Sequence, residues 1–220
     1  MIEQIEIRNL LPCVFAGMED TDRIRSSQIW EEPSFVFHRG CRLCVHAESG
    51  NGKSSLLHFI YGSRKDYKGS ILFDGTDISA LSIVQWCDVR TKGIALLPQD
   101  MALFPELTVG QNIDLKNNMT HHKTSEQIKD LLARLGIDDK HDVAAGKLSI
   151  GQMQRVALVR AVCQPFDFIF LDEPVSHLDA RNNKIVADII TGEANSQGAG
   201  IISTSVGNHL MLDNAKFVSL

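Results

Sequence analysis

No run of about 18 apolar residues occurs in the chain, so nothing in it reads as a membrane-spanning helix. The N-terminus, Met1-Ile2-Glu3-Gln4, lacks the basic flank and hydrophobic stretch of a secretory signal. The expectation is a cytoplasmic protein without direct membrane insertion, whose membrane work, if any, passes through a separate partner. Basic charge is also scarce: 22 Lys and Arg face 27 Asp and Glu, for a net charge of -5 at pH 7. Nucleic-acid binding usually needs a broad basic surface, and nucleic acid is therefore not the expected partner. Cysteine is sparse and odd in number, with Cys13, Cys41, Cys44, Cys87 and Cys163 scattered through apolar segments. That usage fits a reducing compartment and core thiols rather than a disulfide framework. Cys41 and Cys44 have CxxC spacing, but no second pair follows, and metal or redox chemistry is not the reading. Internal repeats, low-complexity tracts and Pro- or Ser-rich linkers are absent too, and the 220 residues can bury a core as one domain.

What is present is a set of strand signals. Ile5 and Ile7 alternate with polar residues, Ser34-Phe35-Val36-Phe37 is a short apolar run, and Ser70-Ile71-Leu72-Phe73 lies between Gly69 and Gly75. Arg42 to His46, Phe168 to Leu171 and Ile201 to Thr204 are each followed by a loop and helix-compatible sequence, the pattern of a parallel sheet buried on both faces. The fold class is α/β, with a P-loop core. About residues 100–147 read as a helical insert within a single domain spanning 1–220. There Thr124 or Ser125 caps a helix whose stripe is Ile128, Leu131, Leu132 and Leu135, and Gly136 ends it.

Three places carry chemistry. Phosphate oxygens need several N–H donors converging on one point, and only small residues let a backbone wrap that closely. Ser49-Gly50-Asn51-Gly52-Lys53-Ser54-Ser55 meets this demand ahead of a helix, whose N-terminus adds its positive dipole end. Lys53 is placed to reach the β- and γ-phosphates and Ser54 to offer its hydroxyl to Mg²⁺. The first glycine of G-x-x-x-x-G-K-[ST] is Ala47 here. The second place is the end of Phe168-Ile169-Phe170-Leu171, a central strand that delivers Asp172 and Glu173 to the ligand-binding edge of the sheet. Asp172 is assigned to Mg²⁺ and Glu173 to polarising water as general base, a role worth about 10²–10⁴-fold in rate. The third is a helix opened by Ser149, Gly151 and Gln152, either a second phosphate-facing helix end or ordinary capping.

The order of these motifs resembles the ATP-binding cassette (ABC) ATPases over nearly the whole chain. Leu148-Ser149-Ile150-Gly151-Gln152 is similar to the family's LSGGQ with Ile150 in place of a glycine. The resemblance implies two copies, or a paired cassette, arranged head to tail, with Ser149 and Gly151 of one facing the ATP γ-phosphate held by the other. Ile94 to Asp100 resembles the Q-loop, in which Gln99 senses Mg²⁺ and the attacking water. Ser176-His177-Leu178-Asp179 resembles the D-loop, Gly69 to Ile78 the N-terminal β-subdomain, and Leu103 to Val109 the start of the helical subdomain. The family stacks adenine on an aromatic residue, for which Phe15 is the candidate, with Trp30, Phe35 and Phe37 read as core. Where the family has a histidine at the γ-phosphate this chain has Ser205, and His209 is expected in the next helix. His121 and His122 read as a solvated loop pair. The function implied is an ATP-hydrolysing subunit using ATP and Mg²⁺ to drive a membrane permease. The alternative is a nucleotide-gated regulatory or assembly module with weak turnover. A soluble repair or translation ATPase fits poorly, because the chain has neither a coiled-coil insert nor a second cassette.

Overall fold

The computed structural model describes residues 1–18 and 21–220. In chain order its elements begin with β1 (Gln4–Pro12), α1 (Asp22–Arg25), β2 (Ser34–His38), β3 (Arg42–His46), α2 (Lys53–Ile60), β4 (Tyr67–Phe73), β5 (Thr76–Asp77) and α3 (Ile83–Asp88). They continue with β6 (Ile94–Leu97), α4 (Val109–Asn117), α5 (Ser125–Arg134), α6 (Ile150–Val162), β7 (Phe168–Asp172), α7 (Ala180–Gln197), β8 (Gly200–Ser205) and β9 (Lys216–Ser219).

The apolar runs form one parallel five-stranded sheet in the order β6-β7-β8-β3-β9. Every residue of β7 is buried, because it lies between two strands and under packing on both faces. The two-residue period of a strand assigns its side chains. Ile169 and Leu171 join a core with Val156, Val159 and Ile190 of α6 and α7. Phe168 and Phe170 point the other way, into a second core with Leu56 and Phe59 of α2 and with the antiparallel sheet β2-β1-β4-β5. The phosphate-loop helix and the acidic strand end thus share one side of the sheet.

That antiparallel sheet contains a bulge, with the β1–β4 register shifting between Arg8 and Leu11. Asn9 takes φ 45° there. Gly69 opposite has φ 93°, and a Cβ on it would lie 2.3 Å from the Asn9 carbonyl oxygen. Only glycine tolerates both the left-handed backbone and that approach.

The segment 100–147 is helical as its sequence predicts. Thr124 caps α5 in a capping box with Gln127, the stripe Ile128, Leu131, Leu132 and Leu135 is buried, and Gly136 follows at φ 63°. A second helix, α4, opens on an equivalent box between Thr108 and Gln111. Its buried Asn112 donates to the Phe104, Leu107 and Thr108 carbonyls and accepts from the Phe104 N–H. Lys123 pairs with Glu193 of α7 at 2.6 Å, joining the insert to the sheet's own helices.

Three expectations are corrected. Cys44 and Cys163 are core thiols, the latter pushed up to about 12 by burial, but Cys13 and Cys87 are exposed. Cys87 sits on α3, which buries none of its residues and leaves Ile83 and Val84 in solvent, while Cys13 lies on the turn after β1. His209 is not helical. Gly207 at φ 81° breaks the chain direction after β8, and the His209 ring packs edge-on against Phe217. His122 is half-buried, and burial pushes its ring toward the neutral form. No helix among the described residues is long and apolar enough to cross a membrane.

Gly69→Ala is expected to destabilise the chain by at least about 1–3 kcal/mol, from the left-handed backbone alone, with the Asn9 contact adding to it. Urea unfolding of the two proteins side by side checks this; equal midpoints would contradict the reading of the bulge.

Candidate nucleotide site

The loop between β3 and α2 is shaped by Gly50 and Gly52, at φ 86° and 93°. Gly52 sits directly before the first turn of α2, where free backbone N–H groups face the cleft. Beneath the loop are two aromatic rings: a Cβ on Gly52 would lie 3.3 Å from the Trp30 ring and 3.4 Å from the Phe15 ring. The Trp30 indole N–H donates to the Asn51 carbonyl at 3.2 Å, and the Asn51 amide donates to the Leu220 carbonyl at 3.3 Å. The loop is therefore held from below by the segment after β1 and from the side by the strand end at Leu220.

Lys53 is 5% exposed, and its ammonium donates to the Ala47 and Glu48 carbonyls at 3.0 Å each. Burial pulls its pKa below the usual lysine value, while the charges of Glu173 and Asp172 oppose that pull. A polyphosphate in the cleft would supply the stronger counter-charge that this ammonium lacks. Ser55 Oγ accepts a hydrogen bond from the Arg64 guanidinium, at 2.8 Å, leaving the Ser54 hydroxyl as the one facing the acidic strand end.

Asp172 is 2% exposed. Its Oδ1 accepts a 2.6 Å hydrogen bond from the Thr204 hydroxyl, whose oxygen in turn accepts from the Glu173 N–H at 3.1 Å. Glu173 has φ 50°, a left-handed conformation that a non-glycine residue holds only under constraint. The constraint is visible: the buried Gln154 amide and the Ser176 hydroxyl both donate to the Glu173 carbonyl, at 3.0 and 3.2 Å. Gln154 Oε1 also accepts from the His177 N–H at 3.3 Å. Arg160 of α6 performs a similar service beyond Gln99, donating to the carbonyls of Met101 and Ala102, both left-handed.

These elements converge on two adjoining cavities. One, of about 250 Å³, is lined by Val14, Phe15, Ser49, Gly50, Gly52, Lys53, Ser54, Ser55, Gln99 and Glu173. The other, of about 390 Å³, is lined by Ser54, His58, Pro98, Gln99, Asp100 and Asp172. Asp172 Oδ2 is buried without a hydrogen-bond partner. With the Ser54 hydroxyl and the Gln99 amide oxygen on the same cavity, this is an all-oxygen donor set that fits a hard divalent cation such as Mg²⁺. The arrangement can hold a polyphosphate on the loop, a cation against Asp172, and a water beside the Glu173 carboxylate.

Other expected residues lie apart. Ser149 caps α6 in a reciprocal box with Gln152, and both it and Ile150 are exposed. Ser149, Gly151 and Gln152 line neither cavity; Gly151 packs beside the loop after Glu173, where a Cβ would meet the His177 carbonyl oxygen at 3.3 Å. Phe15 does line the smaller cavity, but it is only 3% exposed, being packed under Gly52, while its neighbour Val14 is 70% exposed. Ser205 is buried with its hydroxyl 3.7 Å from Cys44 Sγ, on a separate cavity shared with His46 and Glu48. Thr204 and Gln154 are not singled out by the sequence, and Trp30 is read there as core, where it lies. Thr204 reads there as a strand residue and Gln154 as a helix residue, and nothing local marks the partners that give them their roles.

The chain matches the family model described as ABC transporter over residues 30–176. It is 30% identical over 165 residues to the ABC transporter ATP-binding protein YtrE of Bacillus subtilis, covering 74% of this chain and 71% of that one. It is 35% identical over 151 residues to the xylose import ATP-binding protein XylG of Escherichia coli, covering 65% of this chain but only 29% of that protein. Among solved structures, a dimeric bacterial ABC transporter cassette superposes with a TM-score of 0.73 at 19% identity, over 98% of this chain and 94% of that one. A bacterial Atm1-family ABC exporter with ATP bound gives 0.72 at 22% identity, over 99% of this chain and 37% of that chain. At these identities the superpositions establish the fold.

Thr204→Val keeps the shape of the side chain and removes the hydroxyl that joins Asp172 to Glu173. The variant is expected to lose about 1–3 kcal/mol of stability, the cost of leaving buried polar groups unpaired. Denaturant melts at neutral pH measure it, and an unchanged midpoint would contradict the role given to Thr204.

Proposed function

This chain belongs to the ABC transporter family, and from that premise we propose that it is the ATP-binding and ATP-hydrolysing subunit of a membrane ABC transporter, closing head to tail with a second cassette on MgATP to drive a membrane permease. The observation that carries the proposal is the convergence of Lys53, Ser54, Gln99, Asp172 and Glu173 on two adjoining cavities at the C-terminal edge of the parallel sheet. In this reading residues 1–220 are one ABC ATPase domain, with about 100–147 as its helical insert. The loop N–H groups and Lys53 hold the β- and γ-phosphates, while Ser54, Gln99 and Asp172 hold Mg²⁺. Mg²⁺, when bound, neutralises charge on the phosphates. Glu173, fixed by Thr204, Gln154 and Ser176, takes the proton of the attacking water.

Dimerisation is supported by what the chain leaves unused. The α6 N-terminus is exposed at Ser149 and Ile150 and lines no cavity with Lys53, so it is available to the nucleotide of a second copy. The permease is supported by a groove of about 280 Å³ between the sheet and the helical insert. Tyr61, Pro98, Phe104, Leu115 and Met119 line it, and Phe104 and Met119 are more than half exposed, a surface suited to an amphipathic helix from a membrane partner. The chain would then work on the cytoplasmic face of the membrane. The names of the relatives, one of them a xylose import protein, support transport in general.

A second reading, a nucleotide-gated regulatory or assembly module with weak turnover, is favoured by Ser205. A hydroxyl is shorter than an imidazole and carries no positive charge, and this one lies beside Cys44 rather than on the Lys53 cavity. Losing one such donor to a transition state typically lowers turnover by about 10²–10³-fold.

Lys53→Ala is expected to abolish the rise in melting temperature given by MgATP, which at a hundred times the dissociation constant corresponds to about 2.7 kcal/mol. Undiminished protection in the mutant would remove Lys53 from the phosphate site. Glu173→Gln is expected to bind ATP, lose about 10²–10⁴-fold in turnover and sediment as a dimer with MgATP. Parental turnover would rule out Glu173 as base, and a monomer that still binds ATP would count against the head-to-tail dimer.

A further inference from the structure

We propose that Arg64, which lies outside the phosphate loop, is a positioning residue for the nucleotide: it fixes the Ser55 hydroxyl as a hydrogen-bond donor to a phosphate oxygen. The inference deepens the nucleotide-binding reading above and rests on it.

Ser55 is the third residue of α2 and lines the smaller cavity together with Gly50, Gly52 and Lys53. Its neighbour Ser54 lines both cavities, and as a cation ligand it must present a lone pair. A phosphate oxygen asks the reverse of a hydroxyl, because it accepts and cannot donate. Ser55 Oγ already accepts from Arg64 Nη1 at 2.8 Å. Arg64 itself lines a different cavity, with Tyr67 and Trp86, and so approaches the hydroxyl from outside the nucleotide cleft. The usual alternative acceptor for a helical serine is the carbonyl four residues back. Here that carbonyl belongs to Asn51, and it accepts from the Trp30 indole N–H. With one lone pair taken from outside, the single hydrogen of Ser55 is left for an acceptor on the cavity side.

Arg64 is held for direction rather than for charge. Its Nε donates to Asp66 Oδ1 at 3.0 Å and its Nη2 donates to Asp66 Oδ2, a two-pronged pair that sets the plane of the guanidinium. The guanidinium carbon lies 5.3 Å from the centre of the buried Phe59 ring. The Arg64 N–H donates to the His58 carbonyl at 3.3 Å, which ties the residue to α2. Nη1 is then the arm that reaches Ser55. Because Asp66 offsets the positive charge and the pair is open to solvent, Arg64 adds little long-range attraction for an anion. Lys53 differs, being a buried ammonium whose hydrogen bonds go to two carbonyls. Attraction of the phosphates therefore falls to Lys53, and orientation of one donor toward them falls to Arg64.

The test is calorimetric titration of MgATP into the purified chain and into Ser55→Ala, Arg64→Met and the double variant. Each single substitution is expected to weaken binding about 3- to 10-fold, the reach of one hydrogen bond. The double variant is expected to bind within about twofold of Ser55→Ala, because Arg64 has nothing to act through once the hydroxyl is gone. The Arg64 side chain is 43% exposed, so Arg64→Met is expected to fold and, without nucleotide, to melt as the parent does. A residue that merely braced the turn after α2 would instead lower that melting temperature, and its loss would multiply with that of Ser55→Ala. Parental affinity in either single variant, or losses that multiply in the double variant, would overturn the inference and leave the nucleotide site standing. If MgATP does not bind the parent, the nucleotide reading itself falls, and this inference with it.

Discussion

The hydroxyl of Thr204 bonds to both acidic residues at once, donating to the Asp172 carboxylate and accepting from the Glu173 N–H. It can do so because β7 and β8 are parallel neighbours in a register that sets Asp172 opposite Thr204. A buried carboxylate is costly unless its oxygens are paired, and here one oxygen is paired within the protein while the other is left open. The open oxygen makes the position a fit for a cation rather than a plain structural acid. The same hydroxyl fixes the backbone at the start of the left-handed turn at Glu173, so the strand register, the position proposed for a cation and the aim of Glu173 as the proposed general base depend on one another.

Around that joint, α6 serves two purposes. Its N-terminus is capped by its own residues and left exposed, while Gln154, one turn in, reaches the Glu173 carbonyl and the His177 N–H. One face of the helix therefore stabilises the acidic turn, and the end of the helix remains available to a second molecule. Arg160, further along, pins the left-handed pair after Gln99. The segments that carry Glu173 and Gln99 are thus both supported by side chains of one helix.

The phosphate loop shows the opposite economy. Its glycines offer no side chains of their own, and its shape comes from Phe15 and Trp30, which approach from distant parts of the chain, and from the Asn51 amide, which reaches the Leu220 carbonyl. Lys53 is held by two loop carbonyls and weakened as a base by burial, so it is positioned before any anion arrives. Preorganisation of this kind lowers the ordering cost of binding.

Local chemistry made much of this legible in the residues alone. The α/β class, the six apolar segments of the two sheets that carry clear strand patterns, the cap at Thr124 and the one at Ser149 all rest on signals spread over a few neighbouring positions: a period of two, a hydroxyl three residues before an amide, a glycine where φ must be positive. The order of the glycine loop, the helix opened by Ser149 and the acidic strand end was likewise visible, because each is a contiguous motif. Which of two adjacent residues faces in was not. Phe15 and Val14 differ by one step along a short turn, and only the arrival of Trp30 and Gly52 from elsewhere decides that the ring goes under the loop and the isopropyl group toward the cavity. Thr204, Ser205 and Cys87 follow the same rule: a side chain's partners across 30 or 160 residues are set by strand register and helix packing, which no local pattern encodes. Sequence alone determined the set of elements and the chemical groups available. Tertiary structure decided which of those groups meet, because burial is a property of the surfaces that come together and not of the residue that is buried.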